Sequence, residues 1–115
     1  MNRGDVIIAE LLYSDRAGSK IRPAVVVSAD RNNAVSDDVI LVAVSRSTRR
    51  TAFTHVFIDP ATPDGQQSGL LHPSYVQCEN LFTLDRKFII NTIGTLSATL
   101  QEQVDIRLKA ALELG

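Results

Sequence analysis

The first residues able to do chemistry are the two cations of "KIRP", Lys20 and Arg22, which stand directly before an apolar run. Pro23 follows Arg22, and residues 24–27 read Ala-Val-Val-Val, which predicts a buried strand that holds the guanidinium in place. A guanidinium presents paired N–H donors that match the oxygens of a phosphate. The pattern therefore predicts an anion-binding position at Arg22.

A second cationic segment, rich in hydroxyl groups, follows the next apolar run. It leaves the end of the predicted third strand with Ser45, Arg46, Ser47, Thr48, Arg49 and Arg50. If the two strand ends meet at one rim, they form a small positive surface of the kind that phosphodiester binding requires. The alternative is that these arginines only keep an exposed loop soluble, because charge runs are usually solvated.

Other kinds of site find little support in the sequence. His55 and His72 lie far apart and form no close cluster with Cys78, so the spacing of a zinc site is missing. We expect His55 to be a half-exposed strand residue, His72 a loop residue near a ligand or simply on the surface, and Cys78 a small buried hydrophobe. The glycines and serines form no nucleotide-binding or hydrolase motif. We therefore expect neither a metal nor a cofactor.

Length and composition limit the class of protein. The chain has 115 residues, which predicts one domain over residues 1–115. The formal net charge is -1, so the protein is not a polycation that binds nucleic acid by bulk charge. The single cysteine fits a reducing compartment. The N-terminal apolar stretch is too short for a signal sequence, and no run approaches the roughly 20 apolar residues of a membrane span. We expect a cytoplasmic domain.

Hydrophobic patterning predicts several short strands and one closing helix. The strands are "GDVIIAELL", "RPAVVVSA", "VILVAVS", "THVFIDP", "SYVQCENLF" and a short one that ends at Gly94, with loops between them and a single turn at Asp85. The helix begins at Ser97 or Thr99, and its apolar face carries Leu100, Val104, Leu108, Ala111 and Leu112. These elements predict a small, partly open barrel.

Six segments, in order and across nearly the whole chain, resemble the MazF/PemK (Kid-like) toxin family. They are "RGDVIIAEL" with "KIRPAVVVS", "DDVILVAVS", "THVFIDP", "SGLLHPSYVQCENLFTLD" and "IGTLSATLQEQVDIRLKAALEL". The resemblance implies a mainly β fold with α, an SH3-like, partly open β-barrel of the CcdB/PemK type with a C-terminal helix. It also implies a homodimer that cleaves single-stranded RNA, including mRNA, without a metal. The products would carry 2′,3′-cyclic phosphate and 5′-hydroxyl ends.

The resemblance also implies roles for particular residues. Arg22 matches the catalytic arginine, Ser45 stands where a threonine is usual, and Glu79 stands at an acidic position assigned as general base in some members. RNA contacts are expected from Lys20, Arg46, Ser47, Thr48, Arg49 and Gln77. A cognate antitoxin would neutralise the toxin, and DNA would be contacted only through that antitoxin.

Three departures from the family pattern leave alternatives open. Gln77 replaces an arginine proposed as general acid, Phe82 replaces a basic residue, and Ala43-Val44 lack the usual proline. One alternative is a degenerate member that binds RNA or an antitoxin-like peptide without cutting. A weaker one is a DNA-associated regulator that acts with an antitoxin.

Overall fold

Six antiparallel strands form one curled sheet, and a C-terminal helix packs against it. The computed structural model describes residues 1–12, 18–46 and 52–115. The elements are β1 (Asp5–Leu12), β2 (Ser19–Val26), α1 (Asp30–Val35), β3 (Asp38–Ser45), β4 (His55–Ile58), α2 (Pro63–Gln67), β5 (Ser74–Asp85), a 3₁₀ turn (Arg86–Phe88), β6 (Ile89–Thr95) and α3 (Ala98–Leu112). The strand order is β4-β5-β3-β2-β1-β6. The predicted half-open barrel with a closing helix is confirmed.

Strand β2 begins earlier than its sequence predicts. Residues 19–21, expected in a loop, already pair with β1, and Pro23 lies in the middle of the strand opposite Ile8. Proline cannot donate a hydrogen bond to a neighbouring strand, so it is tolerated only where one side is unpaired. Strand β3 pairs with β2 only from Ala24 to Val26, which leaves Pro23 at such an edge.

Two apolar clusters cover the two faces of the sheet. The helix-side cluster contains Val6, Val25, Val42, Val44, Val56, Ile58, Leu70, Val76, Cys78, Leu96, Leu100, Val104 and Leu108. The opposite-face cluster contains Ile7, Ala9, Ala24, Val26, Val39 and Leu41. This division follows from the alternation of side chains along each strand.

Helix α3 begins as predicted, but its buried apolar face ends about one turn before the helix does. The Ser97 hydroxyl accepts a hydrogen bond from the Leu100 amide at 3.2 Å and caps the helix. Leu108 is buried, but Leu112 is 49% exposed, so the predicted helix face is wrong in its last turn. Among the described residues, no helix combines the length and the apolarity needed to cross a bilayer.

Two segments expected as loops contain short helices. In α1, the buried Asn33 side chain accepts from the Ser28 hydroxyl at 2.5 Å and donates to the Ser28 carbonyl at 3.0 Å. In α2, Thr62 accepts from the Gly65 amide, and Pro63 occupies the first turn. Helices of five or six residues are too short to show a 3.6-residue apolar period, and for this reason the pattern missed them.

The pairing of strand β5 with β3 is interrupted by a bulge. Val42 pairs with Leu81 but the next residue, Ala43, pairs with Gln77, so residues 78–80 form an irregularity in the ladder. Beyond it, the Asp85 side chain caps the predicted single turn by accepting from the Lys87 amide at 2.9 Å. The bulge leaves Glu79 outside the β3–β5 pairing.

Candidate active site

Arg22 and Ser45 lie where β2 and β3 part. The last pair joining these strands is Ala24 with Ala43, and Arg22 and Ser45 each lie two residues beyond it, on the two sides of the gap. Strand β2 continues there as the partner of β1, and β3 as the partner of β5, without pairing to each other. The two residues thus lie on the two sides of a gap between otherwise adjacent strands.

A cavity of about 830 Å³ opens at this gap. Its walls are mostly apolar, while Arg22, Ser45, Arg46 and His72 contribute polar groups to its lining. One wall is the segment 69–72, which follows α2. A cavity of this size with a few convergent polar groups has the usual form of a ligand site.

The three described cations of the predicted RNA surface do not all reach the cavity. Arg22 is exposed, and its Nη1 donates to the carbonyl of Ile21 at 3.0 Å. Arg46 is exposed and lines the cavity, whereas Lys20 lies on β2 opposite Leu11 and is not part of the lining. The predicted contacts Ser47, Thr48 and Arg49 lie outside the described residues.

Glu79 belongs to a different cluster, at the start of β4. Its Oε1 accepts from the Thr54 hydroxyl at 2.7 Å, and its Oε2 lies 3.0 Å from His55 Nε2. His55 Nδ1 accepts from the Ala52 amide at 3.3 Å, which leaves the proton on Nε2 and makes that atom the donor to Glu79. Glu79 is thus held by two partners and does not line the cavity.

These contacts set the charge of Glu79. Partial desolvation alone would raise its pKa, but hydrogen bonds from Thr54, from its own backbone and from His55 lower the pKa below its ordinary 4.5. Glu79 is consequently ionised at neutral pH and is a weaker base than a free glutamate. Its neighbour Cys78 is buried, and burial followed by the Glu79 charge raises the pKa of that thiol to about 12.

His55 is more enclosed than expected, since its side chain is only 5% exposed. It pairs across the sheet with Gln77, which in turn lies opposite Ala43. Gln77 is therefore two cross-strand pairs away from Ser45, and it is not part of the cavity lining. The Thr54–His55–Glu79 cluster joins residues 24 or more positions apart, so the sequence carries no local signal for it.

His72 is the residue that the sequence analysis left undecided and that the structure brings into the cavity lining. It is exposed, and its carbonyl accepts from the Ser74 hydroxyl at 2.7 Å. Within residues 1–12, 18–46 and 52–115, no group of three or more His, Cys, Asp or Glu side chains is placed to hold a metal ion.

A comparison with known families matches residues 2–112 to one family, described as PemK-like, MazF-like toxin of type II toxin–antitoxin system. The chain is 28% identical to the Endoribonuclease EndoA of Bacillus subtilis (strain 168) over 118 residues, covering 99% of this chain and 96% of that protein.

Solved structures of similar proteins share this fold. An endoribonuclease in complex with its cognate antitoxin from a mycobacterial species superposes with a TM-score of 0.80 at 26% identity, covering 100% of this chain and 97% of the other. A MazE–MazF structure from Deinococcus radiodurans gives a TM-score of 0.79 at 18% identity, over 100% and 98% of the two chains. The second likeness concerns the fold alone.

Proposed function

This chain belongs to the family of PemK-like, MazF-like toxins of type II toxin–antitoxin systems, and from that premise we propose that it is a metal-independent endoribonuclease of single-stranded RNA. The observation that carries the proposal is that Arg22 and Ser45 both line the cavity that opens where β2 and β3 part. The substrate would be mRNA, cut at a short sequence.

The reaction needs few groups. The 2′-oxygen of the ribose loses its proton and attacks the adjacent phosphorus, and the 5′-oxygen of the next nucleotide leaves and takes up a proton. The products are a 2′,3′-cyclic phosphate and a 5′-hydroxyl. Arg22 stabilises the charge that accumulates on the non-bridging oxygens, and Ser45 positions the phosphate through its hydroxyl.

Glu79 is the general base in this proposal, as the resemblance implies. Its ionised state at neutral pH supports the role, because a base must be unprotonated. Its position opposes the role, because Glu79 does not line the cavity that Arg22 and Ser45 line, and Thr54 and His55 each occupy one lone pair of its carboxylate. The role therefore stays a prediction that kinetics must test.

The proposed assembly is a homodimer in the cytoplasm, with residues 1–115 acting as one domain. Ile21 and Leu71 support it: they are 57% and 86% exposed, and both line the mouth of the cavity. Apolar side chains so exposed are typical of a surface that a partner covers. A cognate antitoxin would bind over the same groove with an acidic segment, and DNA would be reached only through it.

The decisive test is to incubate the pure protein with a long single-stranded RNA in EDTA and to map the ends. We expect cuts at a short common sequence that leave 2′,3′-cyclic phosphate and 5′-hydroxyl ends. Cleavage that needs added divalent metal would contradict the mechanism.

The alternative is a family member that binds RNA or an antitoxin-like peptide without cutting. Gln77 favours it, because an amide cannot deliver a proton as an acid does. RNA that binds tightly in EDTA but stays intact over hours would establish this alternative.

A further inference from the structure

A row of four side chains crosses the sheet from the proposed catalytic arginine to the edge strand. Ser45 pairs with Tyr75 across β3 and β5, and Tyr75 pairs with Phe57 across β5 and β4. Arg22 lies across the gap from Ser45, each two residues beyond the last β2–β3 pair, and both line the cavity. Neighbouring strands are about 4.8 Å apart, so Tyr75 is roughly one spacing from Ser45 and Phe57 roughly two.

All four residues belong to the face opposite the helix-side cluster. Val25, Val44, Val56 and Val76 point into that cluster, and side chains alternate along each strand. The rings of Phe57 and Tyr75 confirm the shared face, because their centroids are 5.1 Å apart at a tilt of 46°. The row therefore places two aromatic rings beside the arginine and hydroxyl that would hold the phosphate.

The two rings are held in place yet accessible. Tyr75 also contacts the ring of His55, with centroids 6.1 Å apart, and the His55 side chain is almost fully buried. Phe57 is 49% exposed on the edge strand β4. A large apolar ring that is exposed and supported by a second ring, on the same face as a cationic side chain, is the kind of surface on which unpaired bases stack.

We propose that Phe57 and Tyr75 form a stacking platform for an unpaired base adjacent to the scissile phosphate. The inference rests on the proposed function, since it places the substrate phosphate at Arg22 and Ser45. It assigns this face to single-stranded nucleic acid, because the row is continuous with those two residues and ends in aromatic rings. Stacking is tolerant of base identity, so the platform contributes affinity for any base.

The test measures binding, so that it does not depend on cleavage. Single-stranded DNA of about twelve nucleotides has no 2′-hydroxyl and cannot be cut by the proposed reaction, and an abasic strand of equal length keeps the phosphates but removes the bases. We expect Phe57→Leu to weaken binding of the base-bearing strand roughly tenfold and to leave binding of the abasic strand unchanged. Phe57→Tyr, which keeps a ring, should bind as wild type.

Phe53→Leu is the matched control. Phe53 is 68% exposed, lies off the row, and its carbonyl is held by Arg107 of α3 at 2.9 Å. We expect this variant to bind both strands as wild type. Equal weakening of both strands by Phe57→Leu, or the same base-dependent loss in Phe53→Leu, would overturn the platform. A change of oligomeric state in Phe57→Leu, seen by light scattering, would assign the face to a second copy instead.

The platform and the proposed activity can fail separately. Base-dependent binding through Phe57 without RNA cleavage in EDTA would keep the platform and refute the enzyme. Metal-independent cleavage without base dependence at Phe57 would keep the enzyme and refute the platform.

Discussion

At the scale of single residues, Arg22 is kept available by its surroundings. Its described hydrogen bond goes to the carbonyl of the preceding residue, Ile21, on an exposed part of the strand. An exposed bond of this kind exchanges readily with water, so turning the guanidinium toward a phosphate costs little. The strand fixes the Cα position while the side chain stays free to meet the substrate.

Replacing Arg22 should remove charge stabilisation from the transition state. We expect Arg22→Ala to lower cleavage roughly hundredfold or more, as the loss of one oxyanion donor does. Ser45→Ala should cost less, because it removes a positioning hydroxyl. The measurement is the rate of RNA cleavage in EDTA, with far-UV circular dichroism to confirm the fold. An Arg22→Ala protein that cuts at the wild-type rate would remove Arg22 from the mechanism.

The pH dependence of the rate should identify the general base. Because the pKa of Glu79 is lowered, its carboxylate is still mostly ionised at pH 4.5, where an ordinary glutamate is half protonated. If Glu79 is the base, the acidic limb of kcat/KM lies below pH 4.5 and disappears in Glu79→Gln. A limb near neutral pH that persists in Glu79→Gln and is lost in His72→Gln would move the role to His72.

At the scale of elements, the cavity wall depends on two glycines that let backbones touch. Gly69 adopts a φ of 77°, which favours glycine, and a Cβ there would overlap the Ile93 carbonyl of β6. A Cβ at Gly94 would likewise overlap the Ser68 carbonyl. The end of α2 thus sits directly on β6, and this contact positions the segment 69–72 beside Arg22.

Filling that contact should destabilise the fold. In Gly94→Ala the new Cβ would overlap backbone atoms of Ser68, which cannot move aside as a flexible side chain can. We therefore expect the free energy of unfolding to fall by about 1–3 kcal/mol. Gly115→Ala is the control, because a Cβ there meets nothing within 4 Å. Urea unfolding checks both variants. Equal midpoints would show that β6 and α2 separate at no cost.

The same elements show what the sequence could predict. Apolar runs predicted β1 and β3, alternation predicted β4, and a cap at Ser97 or Thr99 with an apolar face predicted α3, because these patterns are local. The facing of Arg22 and Ser45 was only a conditional expectation, because register between strands is set by tertiary pairing. The contacts of Glu79 were not predictable, because Thr54 and His55 lie 25 and 24 residues away in the sequence and meet it only in the folded sheet.

At the scale of the whole molecule, the near-neutral charge means that RNA binding would depend on how the subunits assemble. A chain of net charge -1 holds RNA only where its cations are concentrated, and a two-fold axis doubles both the number of cations and the length of the groove. The exposed Ile21 and Leu71 at the cavity mouth offer the apolar contact for that axis.

An acidic substitution at this mouth should break the dimer. We expect the wild type to be dimeric at micromolar concentration by light scattering and Leu71→Glu to be monomeric, because a buried unpaired carboxylate is costly. Val35→Glu is the control, since Val35 is 85% exposed on α1, away from the cavity. A monomeric wild type would refute the assembly.

The buried thiol of Cys78 offers a chemical probe of how often the folded state opens. Cys78 is the only cysteine in the chain, it is fully buried, and the pKa of about 12 keeps it protonated in the folded state. Because the thiolate is the reactive form, alkylation at about pH 8 should mark only molecules that have opened. The alkylated fraction, measured by mass spectrometry over time, would then give the fraction of molecules that have opened. We expect the alkylated fraction to fall when RNA or an antitoxin segment is added, since a ligand that binds only the folded state lowers the population of opened molecules.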